Sequence, residues 1–168
     1  MGKIANTFEV VIDRPVQDVW DYVSDPSNLP EWLSGISDIR KSTDTMKVGE
    51  SYGFKRRFLG RQMDGTSTVT VYEPTSKYAY HFTSGEVEAT ITYELEPLGS
   101  GTLLNFSMEA TVGGFFGVAP KLVLGRATGE YERDLEKLKE VLNPPAYGHD
   151  PGFTPQSEAP QQGSGPVV

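Results

Sequence analysis

The chain contains no cysteine. Disulfides, thiolate metal sites and cysteine nucleophiles are therefore excluded. It has two histidines, His81 and His149, too few for a metal cage of imidazoles alone. Positive charge is scarce: 15 Lys and Arg stand against 23 Asp and Glu, a net charge of −8. Nucleic-acid binding rests on a basic surface, so no nucleic-acid partner is expected. No apolar run approaches the roughly 18–20 residues of a membrane-spanning helix. The N-terminus lacks the positive-then-apolar pattern of a signal peptide. Asn6 stands where a myristoylation motif after Gly2 wants Ser or Thr. These absences predict a soluble cytoplasmic protein with no integral membrane association and no metal or other cofactor.

Half of the 12 prolines fall after residue 143, where Lys and Arg are missing and apolar residues follow no period. Such a segment cannot bury enough apolar surface to offset its ordering entropy, so 143–168 is expected to be a disordered tail. It contains no P-x-x-P core for a proline-recognising partner. Residues 1–142 form the expected domain. With two acids in the tail, Asp150 and Glu158, that domain keeps 15 basic against 21 acidic residues. A domain of this length buries about two-thirds of its unfolded surface, enough for a core and a cavity.

Periodicity supplies the elements. Ile4, Phe8, Val10 and Ile12 share one parity, which is strand period. Pro15 opens a helix carrying Val16, Val19, Trp20 and Val23, and Asp25-Pro26-Ser27 stops it. Asn28 to Leu33 suggests a second short helix. Strand-like runs follow: Tyr52, Phe54 and Phe58; Val69 and Val71; Tyr78, Tyr80 and Phe82; then 87–95, where Val87, Ala89, Ile91, Tyr93 and Leu95 alternate with polar residues. Gly99-Ser100-Gly101 turns the chain into Leu104, Phe106, Met108 and Ala110. Leu59-Gly60-Arg61 and Asp64-Gly65 are rival turns for the hairpin between 55 and 70. One apolar and one polar face means an antiparallel sheet covered on one side. The cover is a long helix over 118–142, where Ala119, Leu122, Val123, Ala127, Tyr131, Leu135, Leu138 and Leu142 recur at three and four. The class is α+β, a curved antiparallel sheet wrapped round a long C-terminal helix, with two short helices after the first strand.

The run Val11-Ile12-Asp13-Arg14-Pro15-Val16-Gln17-Asp18-Val19-Trp20, with Asp25 and Trp32, resembles the opening of the START-like superfamily (SRPBCC, Bet v 1-like). Gly49, Leu59-Gly60-Arg61 and Glu73-Pro74 match its middle. Phe115 to Pro120, running to Asp134-Leu135-Glu136-Lys137-Leu138-Lys139, is similar to the ending of its polyketide cyclase/dehydrase and lipid transport branch. The resemblance spans nearly all of 1–142. It implies a helix-grip fold with a deep apolar cavity between sheet and C-terminal helix, and no single catalytic motif.

The expected function is therefore binding of a small to medium hydrophobic ligand, lipid-like or polyketide-like, in that cavity. Tyr52, Phe54, Tyr80, Tyr93, Phe106 and Met108 would line it from the sheet, and Leu122, Val123 and Ala127 from the helix. Trp32 is core by default and a ligand contact if its helix lies at the cavity mouth. Phe115 and Phe116, set among Gly113, Gly114 and Gly117, read either as a flexible connection or as a portal lip. Arg56 has the parity of Tyr52, Phe54 and Phe58. Either a bulge lets it snorkel out, or it faces inward and makes an acidic ligand attractive. His81 has the opposite parity to Tyr80 and Phe82 and should face solvent, which leaves no base to assign. The alternatives are an aromatase/cyclase or dehydratase acting on a polyketide-like substrate, and a protein-interaction module akin to ribosome-associated or co-chaperone relatives.

Overall fold

The computed structural model describes residues 2–113 and 119–143. Seven strands form one antiparallel sheet in the order β1-β7-β6-β5-β4-β3-β2. They are β1 (Gly2–Ile12), β2 (Ile36–Lys41), β3 (Ser51–Phe58), β4 (Arg61–Glu73), β5 (Lys77–Ser84), β6 (Val87–Leu98) and β7 (Gly101–Val112). Helix α1 (Val16–Val23), a 3-10 turn (Pro26–Asn28) and helix α2 (Leu29–Trp32) connect β1 to β2, and the long α3 (Pro120–Leu142) follows β7. The sheet curves round α3. The proline-rich tail, apart from Asn143, and the Phe115–Phe116 pair lie outside the described residues.

Alternation builds the inner face. In β3 the buried residues are Tyr52, Phe54, Arg56 and Phe58, and the pairing with β4 runs unbroken from Ser51 with Thr68 to Phe58 with Arg61. In β5, Tyr78, Tyr80 and Phe82 are buried. His81 lies on the outer face, where its Nδ1 pairs with Thr90 Oγ1 at 3.1 Å. The outer face of β6 is polar, so only the inner face needs a cover.

That cover is α3. Val123, Leu124, Tyr131, Leu135, Leu138 and Leu142 are buried against the sheet, each contributing about 2 kcal/mol through the apolar area removed from water. The helix also follows β1 along its length. Asn6 Nδ2 donates to Thr128 Oγ1 (2.9 Å), and Asn143 Oδ1 accepts from the Asp13 backbone N–H (2.7 Å).

The structure differs from the sequence expectation in two ways. β2 has no counterpart in the periodicity. Its pairing with β3 shifts between Ser37 and Arg40, with Asp38 at φ 58°, so Ile36 and Ile39 stand three apart. A bulge of that kind erases period-two patterning. Of the rival turns, Leu59-Gly60 makes the hairpin, both residues having positive φ (50° and 76°). Asp64-Gly65 lies inside β4. Gly65 is there for space: a Cβ on it would stand 2.2 Å from the Phe54 ring.

Candidate functional site

Among the described residues, two small chambers lie between sheet and helix. The first, about 20 Å³, is lined by Phe58, Met63, Met108, Val123 and Ala127 among others. The second, about 10 Å³, lies between α2 and the sheet, walled by Leu29, Leu33, Tyr52, Phe54 and Tyr80. Arg56, Phe82 and Tyr131 border both. Each chamber has room for about one water. In place of the deep cavity that the resemblance implies, aromatic rings fill the interior. Tyr78, Tyr80, Tyr93, Phe106 and the helix's own Tyr131 pack in succession, with ring centroids 5.2–6.1 Å apart.

Most candidate residues converge here. Met108, Val123 and Ala127 line the first chamber, and Tyr52, Phe54 and Tyr80 the second. Tyr93 and Phe106 are fully buried in the aromatic stack and border neither chamber. Trp32 is buried in the core cluster, also away from both. Leu122 is a correction: it is 68% exposed. With Val123, Leu124, Ala127 and Tyr131 turned inward, the 100° step per residue points Leu122 away from the sheet.

Arg56 faces inward, because β3 carries no bulge to turn it out. It is 9% exposed. Its guanidinium carbon lies 5.3 Å from the Phe58 ring centroid and 5.8 Å from that of Phe82. Among the described residues no carboxylate comes within 4 Å of it. Contacts with ring faces contribute about 0.5–2 kcal/mol each, less than the several kcal/mol that desolvating an ion costs. The cation is therefore held by its surroundings with much of its field unanswered.

The other inward polar groups are mainly tyrosine hydroxyls. Burial pushes Tyr52, Tyr80 and Tyr93 well above the ordinary phenol range, so all three are protonated at neutral pH. Tyr80 and Tyr93 share a hydrogen bond of 3.4 Å between their hydroxyls. Ser67, opposite Tyr52 in the β3–β4 pairing, has a buried Oγ without a hydrogen bond of good geometry.

Asp134 escaped the sequence reading. It is 7% exposed, and its Oδ2 accepts from Ser34 Oγ at 3.1 Å. Burial raises its pKa, and only part of that rise is offset by Ser34 and by the field of Arg56. The available signal was its place on α3, one turn from Tyr131 and beside Leu135. A carboxyl with a raised folded pKa favours folding below its unfolded value, and that contribution fades as pH climbs through the folded value. Asp134→Asn keeps an acceptor for Ser34. It should raise the thermal midpoint at pH 7 and leave it nearly unchanged at pH 3. Melting curves at the two pH values check this, and equal shifts at both would contradict it.

The family described as polyketide cyclase/dehydrase and lipid transport matches residues 3–143. The uncharacterized protein Rv1546 of Mycobacterium tuberculosis is 26% identical over 137 residues, covering 79% of this chain and 96% of that one. Among solved structures, a conserved protein from Geobacillus kaustophilus superposes with a TM-score of 0.68 at 19% identity, over 83% of this chain and 95% of the other. CV1439 from Chromobacterium violaceum gives 0.66 at 17%, over 84% and 98%. Ara h 8.0201 gives 0.64 at 12%, over 84% and 98%. At these identities the structural matches speak for the fold alone. Among the described residues no helix is long and apolar enough to cross a membrane.

Proposed function

Because the chain belongs to the polyketide cyclase/dehydrase and lipid transport family, we propose that it binds a small to medium apolar molecule carrying an acidic group between the sheet and α3. One observation carries this reading: a buried guanidinium in an apolar wall, with no carboxylate within 4 Å of it among the described residues. A carboxylate, enolate or phenolate on the ligand would answer that charge, and the rings of Phe58 and Phe82 would pack on its apolar body. The cyclase or dehydratase alternative needs an inward acid–base pair. The tyrosines are held protonated; of the two shielded carboxyls on α3 near the chambers, Asp134 is engaged by Ser34 and Glu130 by Arg126.

Chambers of about 20 and 10 Å³ cannot hold such a molecule without opening. The N-terminal half of α3 is the weak wall, because Gly125 and Gly129 both lie within the helix. Neither site would clash with a Cβ: nothing lies within 4 Å at Gly125, and only the tip of Arg133 does at Gly129. Gly125→Ala with Gly129→Ala should add about 1 kcal/mol of stability per site. It should also slow ligand entry, as stopped-flow binding would read.

Native mass spectrometry of protein purified without denaturation tests the proposal itself. Expected is a co-purifying apolar acid, displaced by a simple long-chain carboxylic acid. Protein that stays empty and binds neither that acid nor its neutral amide would overturn the reading.

A further inference from the structure

The two edges of the sheet are finished differently. β2 is six residues long and broken by a bulge at Asp38, both of which discourage a further strand from adding. β1 is eleven residues long, contains no proline, and pairs with β7 without a shift from Gly2 with Val112 to Ile12 with Thr102. Its other side has no strand beside it among the described residues. α3 packs along β1, but no strand among the described residues completes its ladder, and strand edges of this length are normally paired or covered.

The strip along that edge carries an ordered set of charges. At one end Lys3 and Lys121 flank a groove floored by Ile4, Leu124 and Gly125. At the other, Glu9, Glu132 and Glu136 flank a groove over Phe8, Val10 and Leu135. None of these five charges has an ion-pair partner among the described residues. Lys3 and Glu9 are about 20 Å apart along the strand. Lys121 and the two helix acids are about 16–22 Å apart along α3. The midpoint of the first pair is Asn6, and that of the second falls close to Thr128. These two side chains are hydrogen-bonded to each other. The strip is thus positive at one end and negative at the other about a single centre.

A surface of that kind complements itself under a two-fold rotation. We propose that β1 pairs antiparallel with β1 of a second copy about Asn6, joining two sheets into one. Lys3 then stands opposite Glu9 of the second copy, Ile4 opposite Phe8 and Ala5 opposite Thr7. The two α3 helices run antiparallel across the seam, which brings Lys121 to Glu132 and Glu136 of the second copy. The half-buried Ile4 and Phe8 gain cover, while Lys3, Ala5, Thr7 and Glu9 stay on the outer face. The backbone groups of the free edge find partners, as in strand addition generally.

Sedimentation velocity on the full chain tests this. The wild type should be a dimer. Lys3→Glu with Lys121→Glu makes the strip wholly acidic, and Glu9→Lys with Glu132→Lys and Glu136→Lys makes it wholly basic. Each variant alone should self-associate at least tenfold more weakly, with its circular dichroism unchanged because all five residues are on the surface. An equimolar mixture of the two should restore a 1:1 dimer, since every contact is then between opposite charges. A monomeric wild type, variants that dimerise as well as the wild type, or a mixture that stays monomeric would each overturn the proposal. Dimerisation that appears only after removal of 144–168 would overturn it too, and would assign the edge to the chain's own tail.

Discussion

Arg56→Met should lower affinity for an apolar carboxylic acid by about 1.5–3 kcal/mol, the range for hydrogen bonds to a charged group. Affinity for the corresponding neutral amide should hardly change. The reasoning is local. The guanidinium lies over the Phe58 and Phe82 rings at 5.3 and 5.8 Å, inside an otherwise apolar wall. Methionine keeps much of the stem and removes the charge. The folded protein should hold its stability or gain some, because the desolvation of an incompletely paired cation exceeds what two ring contacts return. Asp134 feels the field of Arg56, so its carboxyl should titrate still higher in the variant, and the gain from Asp134→Asn should grow in that background. Isothermal titration with the acid and the amide separates the cases. Equal losses for both ligands, or none for either, would remove Arg56 from the ligand site. Loss of fold with loss of both affinities would instead show that the cation is structural.

Phe82→Ala should cost about 3–5 kcal/mol, the usual range for truncating a buried aromatic ring. Phe82 is 5% exposed and stands edge-on to Phe54 at 5.9 Å. It also borders both chambers, so its removal should join them into a single void. A void walled mainly by rings and aliphatic side chains can take up a small aromatic molecule, with Arg56 at its border over the ring face. The variant's thermal midpoint should therefore recover partly in the presence of such a probe, whereas the wild type should not respond. A cost below about 1 kcal/mol, or equal responses in both proteins, would show that the ring does not separate the chambers.

The strands that carry the site were readable because their side chains alternate without interruption. β3 and β5 present Tyr52, Phe54, Phe58, Tyr80 and Phe82 at fixed parity, and the unbroken β3–β4 register then decides that Arg56 points in. Before that register is known, Lys55-Arg56-Arg57 is equally compatible with a bulge. β2 was hidden because the Asp38 bulge puts its two apolar residues three apart. Leu122 satisfied the three-and-four rule but sits on the outer flank of α3. A 23-residue helix offers more apolar positions than one sheet can cover. Asp134 lies on the apolar stripe of α3 but was missed, because its meaning depends on Ser34, which lies 100 residues away in sequence. Gly65 carried no pattern at all: its role exists only because Phe54 pairs across from it.

The pairing of β1 with β7 has a further consequence, in the order of assembly during synthesis. Gly2 meets Val112, and Ile12 meets Thr102. The first strand therefore leaves the ribosome some 90–110 residues before its partner exists, several seconds at usual elongation rates. The meander from β3 to β7 closes through short hairpins and can form while β1 still waits. Loop closure over so long a separation is slow, so β1 and α3, which lie against each other, are expected to dock together late. Through that interval an amphipathic strand is free in the growing chain. Pulse-labelled hydrogen exchange during refolding should find the β1 amides protected after those of β5 and β6.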